Sequence, residues 1–334
     1  MADDRIALDV MGGDHAPGVV LDGVALVSDP EGDLYVDPER LLLVGDEEVI
    51  RAGLEQRPGL SDLDVRHAPA VITMDEKPGA ALRAKPQASI PVGISCVSAG
   101  DAGAFISMGN TGAVVGAATL GLRTLEGIRR PGLAITTHVT GRPVTVLDMG
   151  ANVVPKPSHL LHYALMGSTL ASDVDGVENP RVGLLNIGSE SNKGTDLSRA
   201  AHSLLSESPI NFVGNVEADG IFGDDVDVVV TDGFTGNIFL KTLEGLSEFI
   251  LTRLTRQLDD HGAGWSDEVL ADLRHHVDYS EYGGALLLGV KGVVIIGHGR
   301  SDSRAVANAI GQAARSLDAD VNADIVRALG SFGD

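Results

Sequence analysis

The chain has 334 residues, 43% of them hydrophobic but only 4% aromatic, with 42 glycines and one cysteine. That length can bury a large core, and a single cysteine excludes an internal disulfide framework and suits a reducing compartment. A net charge of −22, from 47 acidic against 25 basic residues, argues against nucleic acid as a partner, since phosphate-backbone affinity is built on Lys and Arg clusters.

The opening residues MADDRIALDV are acidic where a signal peptide needs a basic region, so a cytoplasmic protein is expected. They pass into a strand over 5–10 that stops at MGGDHAP, which carries Gly12, Gly13, Asp14 and His15. A helix over 18–28, a strand over 41–44, a helix over 46–55 and a strand over 64–67 follow. The helix expected over 89–100 encloses Cys96, which reads as a buried thiol and not as a nucleophile. A strand over 103–107 delivers MGNTGA, with Asn110, Thr111 and Gly112 ahead of a helix over 111–123 whose expected N-cap is Thr111.

Strands over 132–137 and 143–147 come next, the second ending in DMGANV with Asp148 and Asn152. Lys156 then precedes a helix over 157–172. A lysine there opposes the helix dipole, so either a resting anion or a solvated loop accounts for it. A strand over 182–186 runs into GSESNKGT, placing Lys193 before a helix over 195–206. Strands over 211–213 and 226–231 lead to TDGFTGN, with Asp232 and Asn237 opening a helix over 235–260. A further helix over 266–276, after a break at 261–264, completes a helical arm over 235–276 with Trp265 at its tip. The segment ALLLGVKGVVIIGHG reads as two antiparallel strands linked through Val290-Lys291-Gly292, and helices over 301–317 and 320–330 close the chain.

Strands alternating with helices at this spacing predict an α/β fold: a mostly parallel sheet sandwiched by helices, in one catalytic domain over 1–334 that includes the arm. Ligands of such sheets bind beyond the carboxyl ends of the strands. Four buried strands ending in clusters of Gly, Asp and Asn predict one convergent anion site, with backbone N–H groups and helix N-termini as donors. Several chemistries lack their signatures. Lys193-Gly194-Thr195 resembles the tail of a phosphate-binding loop without the leading glycine, and no serine elbow or dinucleotide fingerprint is present. Metal-binding Cys/His spacing is also missing, because His275 and His276 are adjacent on a helix. No metal or cofactor is expected. No stretch reaches the ~18 apolar residues of a membrane span.

Taken in order, DVMGGDHAP, DEKPGAALR, MGNTGA, DMGANVVPKP, GLLNIGSESNKGT, NFVGNVEADGIF, TDGFTGN and DYSEYGGALLLGVKGVVIIGHG resemble the acyl-(acyl-carrier-protein):phosphate acyltransferase family, from about residue 5 to residue 315. The resemblance implies a fold related to phosphotransacetylases and to isocitrate and isopropylmalate dehydrogenases. It further implies a homodimer that makes acyl phosphate from acyl-carrier protein and inorganic phosphate, for phospholipid synthesis. The acyl phosphate would pass to a downstream acylglycerol-phosphate enzyme. In that light Lys193 is expected to donate to an oxyanion or phosphate, with Asp232 and Asn237 orienting and His15 shuttling a proton. Gly12, Gly13, Asp14, Asn110, Thr111, Gly112, Asp148, Asn152 and Lys156 would bind phosphate or substrate. Members often touch membranes through the arm, but here it carries Asp259, Asp260, Asp267, Glu268 and Asp272, so any membrane contact is expected to be weak or peripheral. An acidic carrier needs a basic patch, for which Arg123, Arg129 and Arg130, or Arg83 and Lys85, are candidates. A short-chain coenzyme A phosphate acyltransferase and a non-catalytic acyl- or phosphate-binding scaffold are the alternatives.

Overall fold

The computed structural model describes residues 4–139, 141–261 and 283–331. In the middle of the sheet, short apolar runs become strands buried on both faces, while the strands at its two edges are more polar and more exposed. In chain order these are β1 (Ile6–Asp9), β2 (Leu41–Gly45), β3 (Asp64–His67), β4 (Ala104–Ser107), β5 (Gly132–Val139), β6 (Arg142–Leu147), β7 (Val182–Leu185), β8 (Phe212–Val216), β9 (Val228–Val230), β10 (Ala285–Leu288) and β11 (Val293–Ile296). The helices are α1 (Gly18–Val27), α2 (Glu47–Leu54), α3 (Pro78–Ala84), α4 (Ser89–Ala99), α5 (Thr111–Gly121), α6 (Pro157–Asp173), α7 (Asp196–Ser206), α8 (Gly233–His261), α9 (Ser303–Asp318) and α10 (Val321–Ser331). Short α3 was not expected from the sequence. The arm beyond His261, with Trp265 and His275-His276, lies outside the described residues.

All eleven strands join one sheet in the order β3-β2-β1-β4-β11-β10-β5-β6-β9-β7-β8. Alternate side chains face two apolar cores. Ile6 and Leu8 belong to the core that takes side chains from α1, α2, α6, α7, α9 and α10, while Ala7 and Phe105 belong to the one that takes them from α3, α4, α5 and α8. The expected mostly parallel sheet is present, and β10 pairs antiparallel with β11 as the sequence suggested.

The sheet contains a reversal that the expectation of one convergent site did not include. Strands β1, β2, β3, β4 and β11 run one way, as their parallel pairings require. Three antiparallel pairings in a row, β11 with β10, β10 with β5 and β5 with β6, then turn β6, β9, β7 and β8 the other way. The exits of β1 and β4 therefore lie at one end of the sheet, and those of β6, β9 and β7 at the other. Two helices on the same face span the ends: α5 starts at the first and runs toward the second, and α8 does the opposite.

Candidate active site

At the first end, two glycine loops interlock around a buried carboxylate. Asp9, fully buried, accepts from the Ser107 hydroxyl (2.7 Å) and the Met11 N–H (3.1 Å). Burial pushes its pKa up, and these hydrogen bonds oppose the shift. The Ser107 hydroxyl oxygen accepts in turn from the Gly109 N–H (3.0 Å), joining the MGG and MGN loops. Gly12 has to be a glycine, since a Cβ there would lie 2.6 Å from Asp9 Oδ2 and 2.9 Å from the Gly109 nitrogen. Gly13 sits beside Met108, and the Asp14 N–H donates to the Gly299 carbonyl (2.7 Å). Asp14 and His15 are exposed at this rim.

Asn110 has a different task from the one expected. Its Oδ1 accepts from the Ala113 N–H (3.1 Å), so Asn110, not Thr111, is the N-cap of α5. Its amide nitrogen donates to the carbonyls of Thr73, Met74 and Glu76 at 3.1–3.2 Å. A 7% exposed side chain with both ends committed holds the loop before α3 against α5 and leaves nothing for a ligand. Thr111 and Gly112 are exposed in the first turn, where backbone N–H groups have no intrahelical acceptor.

One residue at this end was missed in the sequence. His298 lies two residues beyond β11, and the intervening Gly297 N–H bonds the Ser107 carbonyl (3.0 Å). His298 Nδ1 accepts the Arg300 N–H (3.2 Å), which leaves the proton of the neutral ring on Nε2. Burial holds its pKa below the ordinary value. Glu244 and Asp14 act against that shift, and Lys241 and Arg300 act with it. Lys241 and Glu244 belong to α8, so α8 reaches this end, where Arg300 also pairs with Glu248 at 3.5 Å. The available signal was a histidine between two glycines at the end of a buried strand.

The opposite end is built on a second buried carboxylate. Asp148 is fully buried, burial raises its pKa, and its oxygens accept from the N–H groups of Leu133, Gly150, Ala151 and Asn152. It anchors the loop after β6. Asn152 donates its amide to the Pro131 carbonyl and, through its own carbonyl, accepts from Gly233 N–H at 2.9 Å. Gly236 packs so closely on Asp148 that a Cβ would collide with its carbonyl oxygen, and Gly150 faces Asn237. Asp232 caps α8, accepting from the N–H groups of Phe234 (3.0 Å) and Thr235 (2.9 Å) and from the Thr235 hydroxyl (2.7 Å). Asn237 is exposed one turn later.

Lys193 lies in the exposed turn after β7, with Nζ 3.7 Å from Glu190 Oε1. Lys156 is exposed at the start of α6, where its N–H donates to His159 Nδ1 (3.2 Å). The structure thus gathers Gly12, Gly13, Asp14, His15, Asn110, Thr111 and Gly112 at one end, and Asp148, Asn152, Lys156, Lys193, Asp232 and Asn237 at the other.

A cleft of about 250 Å³ lies at the second end beside α5, lined by Val115, Thr119 and Leu120 of α5 and by Arg130, Pro131, Ala151 and Asn152. From Thr111 to Thr119, α5 advances roughly 12 Å at 1.5 Å per residue.

Residues 4–324 match a family described as fatty acid synthesis protein. Similarity to a phosphate acyltransferase of Endomicrobium trichonymphae is 42% identity over 334 residues, covering 97% of both chains. A phosphate acyltransferase of Moorella thermoacetica is 43% identical over 333 residues, covering 98% of this chain and 95% of that one. Among solved structures, a phosphotransacetylase from Streptococcus pyogenes superposes with a TM-score of 0.61 at 15% identity, covering 94% of each chain. A 4-hydroxythreonine-4-phosphate dehydrogenase from Klebsiella pneumoniae gives 0.54 at 13% identity, covering 96% of this chain and 99% of that one. These two likenesses agree with the fold expected from the sequence. The match along nearly the whole chain places it in the fatty acid synthesis protein family, alongside the phosphate acyltransferases.

Proposed function

We propose that the chain transfers an acyl group from the thioester of acyl-carrier protein to inorganic phosphate, with phosphate seated at the N-terminus of α5. The observation that carries this is the contrast between helix ends. The α8 N-terminus already holds the Asp232 carboxylate, whereas the first turn of α5 presents Thr111 and Gly112 beside a glycine-lined loop. Phosphate would receive the Thr111 and Gly112 N–H groups and the Thr111 hydroxyl, with the His298 Nε2–H donating to phosphate or to the carbonyl oxygen.

A phosphate oxygen then forms a bond to the thioester carbon, and the carbonyl electron pair moves onto oxygen. As that pair returns, the C–S bond breaks and the sulfur leaves as thiolate. A thiol of pKa near ~8.5 is a good leaving group, and solvent reprotonates it. The nucleophile is already anionic, so what the protein supplies is positioning and stabilisation of developing charge. Lys193 and Asn237, at the other end, would face the arriving carrier and its thioester arm, with Asp232 and Asn152 holding their loops. His15, exposed beside Asp14, remains the candidate proton shuttle.

The wider reading is a cytoplasmic homodimer, each chain one catalytic unit, in peripheral contact with membrane and supplying a downstream acylglycerol-phosphate enzyme. An exposed apolar row on α8, formed by Ile238, Leu246 and Phe249, supports the dimer. Incubation with acyl-carrier thioester, phosphate and hydroxylamine tests the reaction. Hydroxamate should form in proportion to phosphate occupancy. Hydroxamate formed equally well without phosphate, or none at all, would overturn the proposal.

A further inference from the structure

In a chain of net charge −22, most described basic side chains are paired with acids. Lys85 is one of these, held to Glu76 at 2.7 Å and to the Val71 carbonyl at 2.8 Å, which weakens the Arg83–Lys85 candidate for a docking patch. Arg129, Arg130 and Lys156 are different. All three are exposed, and none takes part in an ion pair among the described residues.

They come together because the loop before β5 and the loop after β6 meet at one sheet end, and β5–β6 pairing fixes both. Beneath them lies His159, 8% exposed, whose Nδ1 accepts from Lys156 N–H. Its pKa is lowered first by burial and then by Arg130, Lys156 and Arg129, with no carboxylate opposing them. His162, on the next turn of α6, is lowered by burial, His159 and Arg129. Both rings thus feel Arg129, and His159 also feels Arg130 and Lys156, at the start of a 17-residue helix whose dipole adds in the same direction. Unpaired cations held together in this way carry a standing repulsion that a bound anion would relieve.

Arg130 also lines the cleft beside α5, whose helical side runs from Leu120 back to Val115, toward the N-terminus where phosphate is proposed to sit. Building on the acyl-carrier reading above, we infer that Arg129, Arg130 and Lys156 form the docking site for an acidic carrier protein, gripping its acidic side chains and the phosphodiester at the base of its thioester arm. The arm then runs past Leu120 and Asn152 along α5. The roughly 12 Å that α5 advances from Thr119 to Thr111 is the distance the arm spans to bring its thioester to phosphate. The charge on this patch is what lets so acidic a protein accept an acidic partner, since like charges on both surfaces would otherwise slow their encounter.

The test is binding of fluorescently labelled holo-carrier protein, followed by anisotropy, with the full-length chain and an R129E/R130E variant. R129Q/R130Q serves as the second variant should charge reversal impair folding, which its melting temperature reports. The dissociation constant for carrier should rise about tenfold or more with R129E/R130E at low salt, and the gap should close as KCl screens the surface. In turnover, the KM for acyl-carrier should rise several-fold more than the KM for phosphate. Unchanged carrier affinity in both variants would overturn the inference. So would a KM for phosphate rising in step with that for carrier, since the patch would then hold free phosphate. Binding is read without catalysis, so wild-type protein that grips carrier but yields no phosphate-dependent hydroxamate would sink the reaction and leave the docking site standing.

Discussion

Asn110 is where a structural role and a ligand role make opposite predictions. Its side chain supplies the N-cap of α5 and three hydrogen bonds to the 73–76 loop. Replacing Asn110 by Ala removes the cap, worth about 1 kcal/mol. It also strips the donor from three carbonyls; because that loop is largely exposed, water replaces part of the loss, leaving about 1–2 kcal/mol. The sum is roughly 2–3 kcal/mol, which in a chain of this size lowers the melting temperature by about 3–4 °C. Asn110→Asp should do no better: it keeps the acceptor for Ala113 N–H but sets a carboxylate against three carbonyl oxygens. Differential scanning calorimetry on the two variants and wild type, paired with phosphate saturation curves, is the assay. The structural role predicts the drop in melting temperature with kcat/KM for phosphate falling less than about tenfold. An unshifted melting temperature with a loss of about 100-fold or more in kcat/KM would refute it and return Asn110 to the list of phosphate ligands.

Two further outcomes follow from buried titrating groups. Burial raises the pKa of Asp175 to about 6, against a partial opposing effect of Arg315. A folded-state pKa above the unfolded value means that the protonated form favours folding. Stability from this group is full below about pH 4 and is lost as pH rises through about 6. Asp175→Asn should therefore stabilise the protein at pH 8, by up to about 2–3 kcal/mol, and change little at pH 4. Equal shifts at both pH values in thermal melts would contradict this. His298 should titrate below the ordinary imidazole value of ~6.5, because burial disfavours its cation. Nitrogen-edited NMR of labelled histidine, assigned with His298→Gln, gives the midpoint, and a value above the ordinary one would rule out a neutral Nε2–H donor at working pH.

The central strands were legible because β1, β2, β4, β9, β10 and β11 are buried along their length and read as short apolar runs. The β10–β11 hairpin was legible because Val290-Lys291-Gly292 is too short a link for anything else. α3, seven residues starting at Pro78, lacks the periodicity that reveals a helix. The sheet reversal left a trace that was not read. The strands expected over 132–137 and 143–147 are separated by a few residues, which permits only an antiparallel pair, and every parallel strand after that pair must run the other way. This one hairpin divides the glycine-rich exits between two ends of the sheet.

Side-chain roles were harder to see, because a capping residue and an anion ligand draw on the same residue types at the same helix position. Asn110 and Asp232 proved to be caps, and Asp148 an anchor. The distinction depends on partners remote in sequence, such as the carbonyl of Met74 for Asn110 and the N–H of Leu133 for Asp148.

Where phosphate sits is the claim on which the rest depends. A crystal structure grown with saturating inorganic phosphate would locate it directly. Density is expected within hydrogen-bonding distance of the Thr111 and Gly112 nitrogens, near the His298 ring and away from Lys156. Phosphate bound instead between Arg130 and Lys156, with the α5 N-terminus occupied only by water, would contradict it.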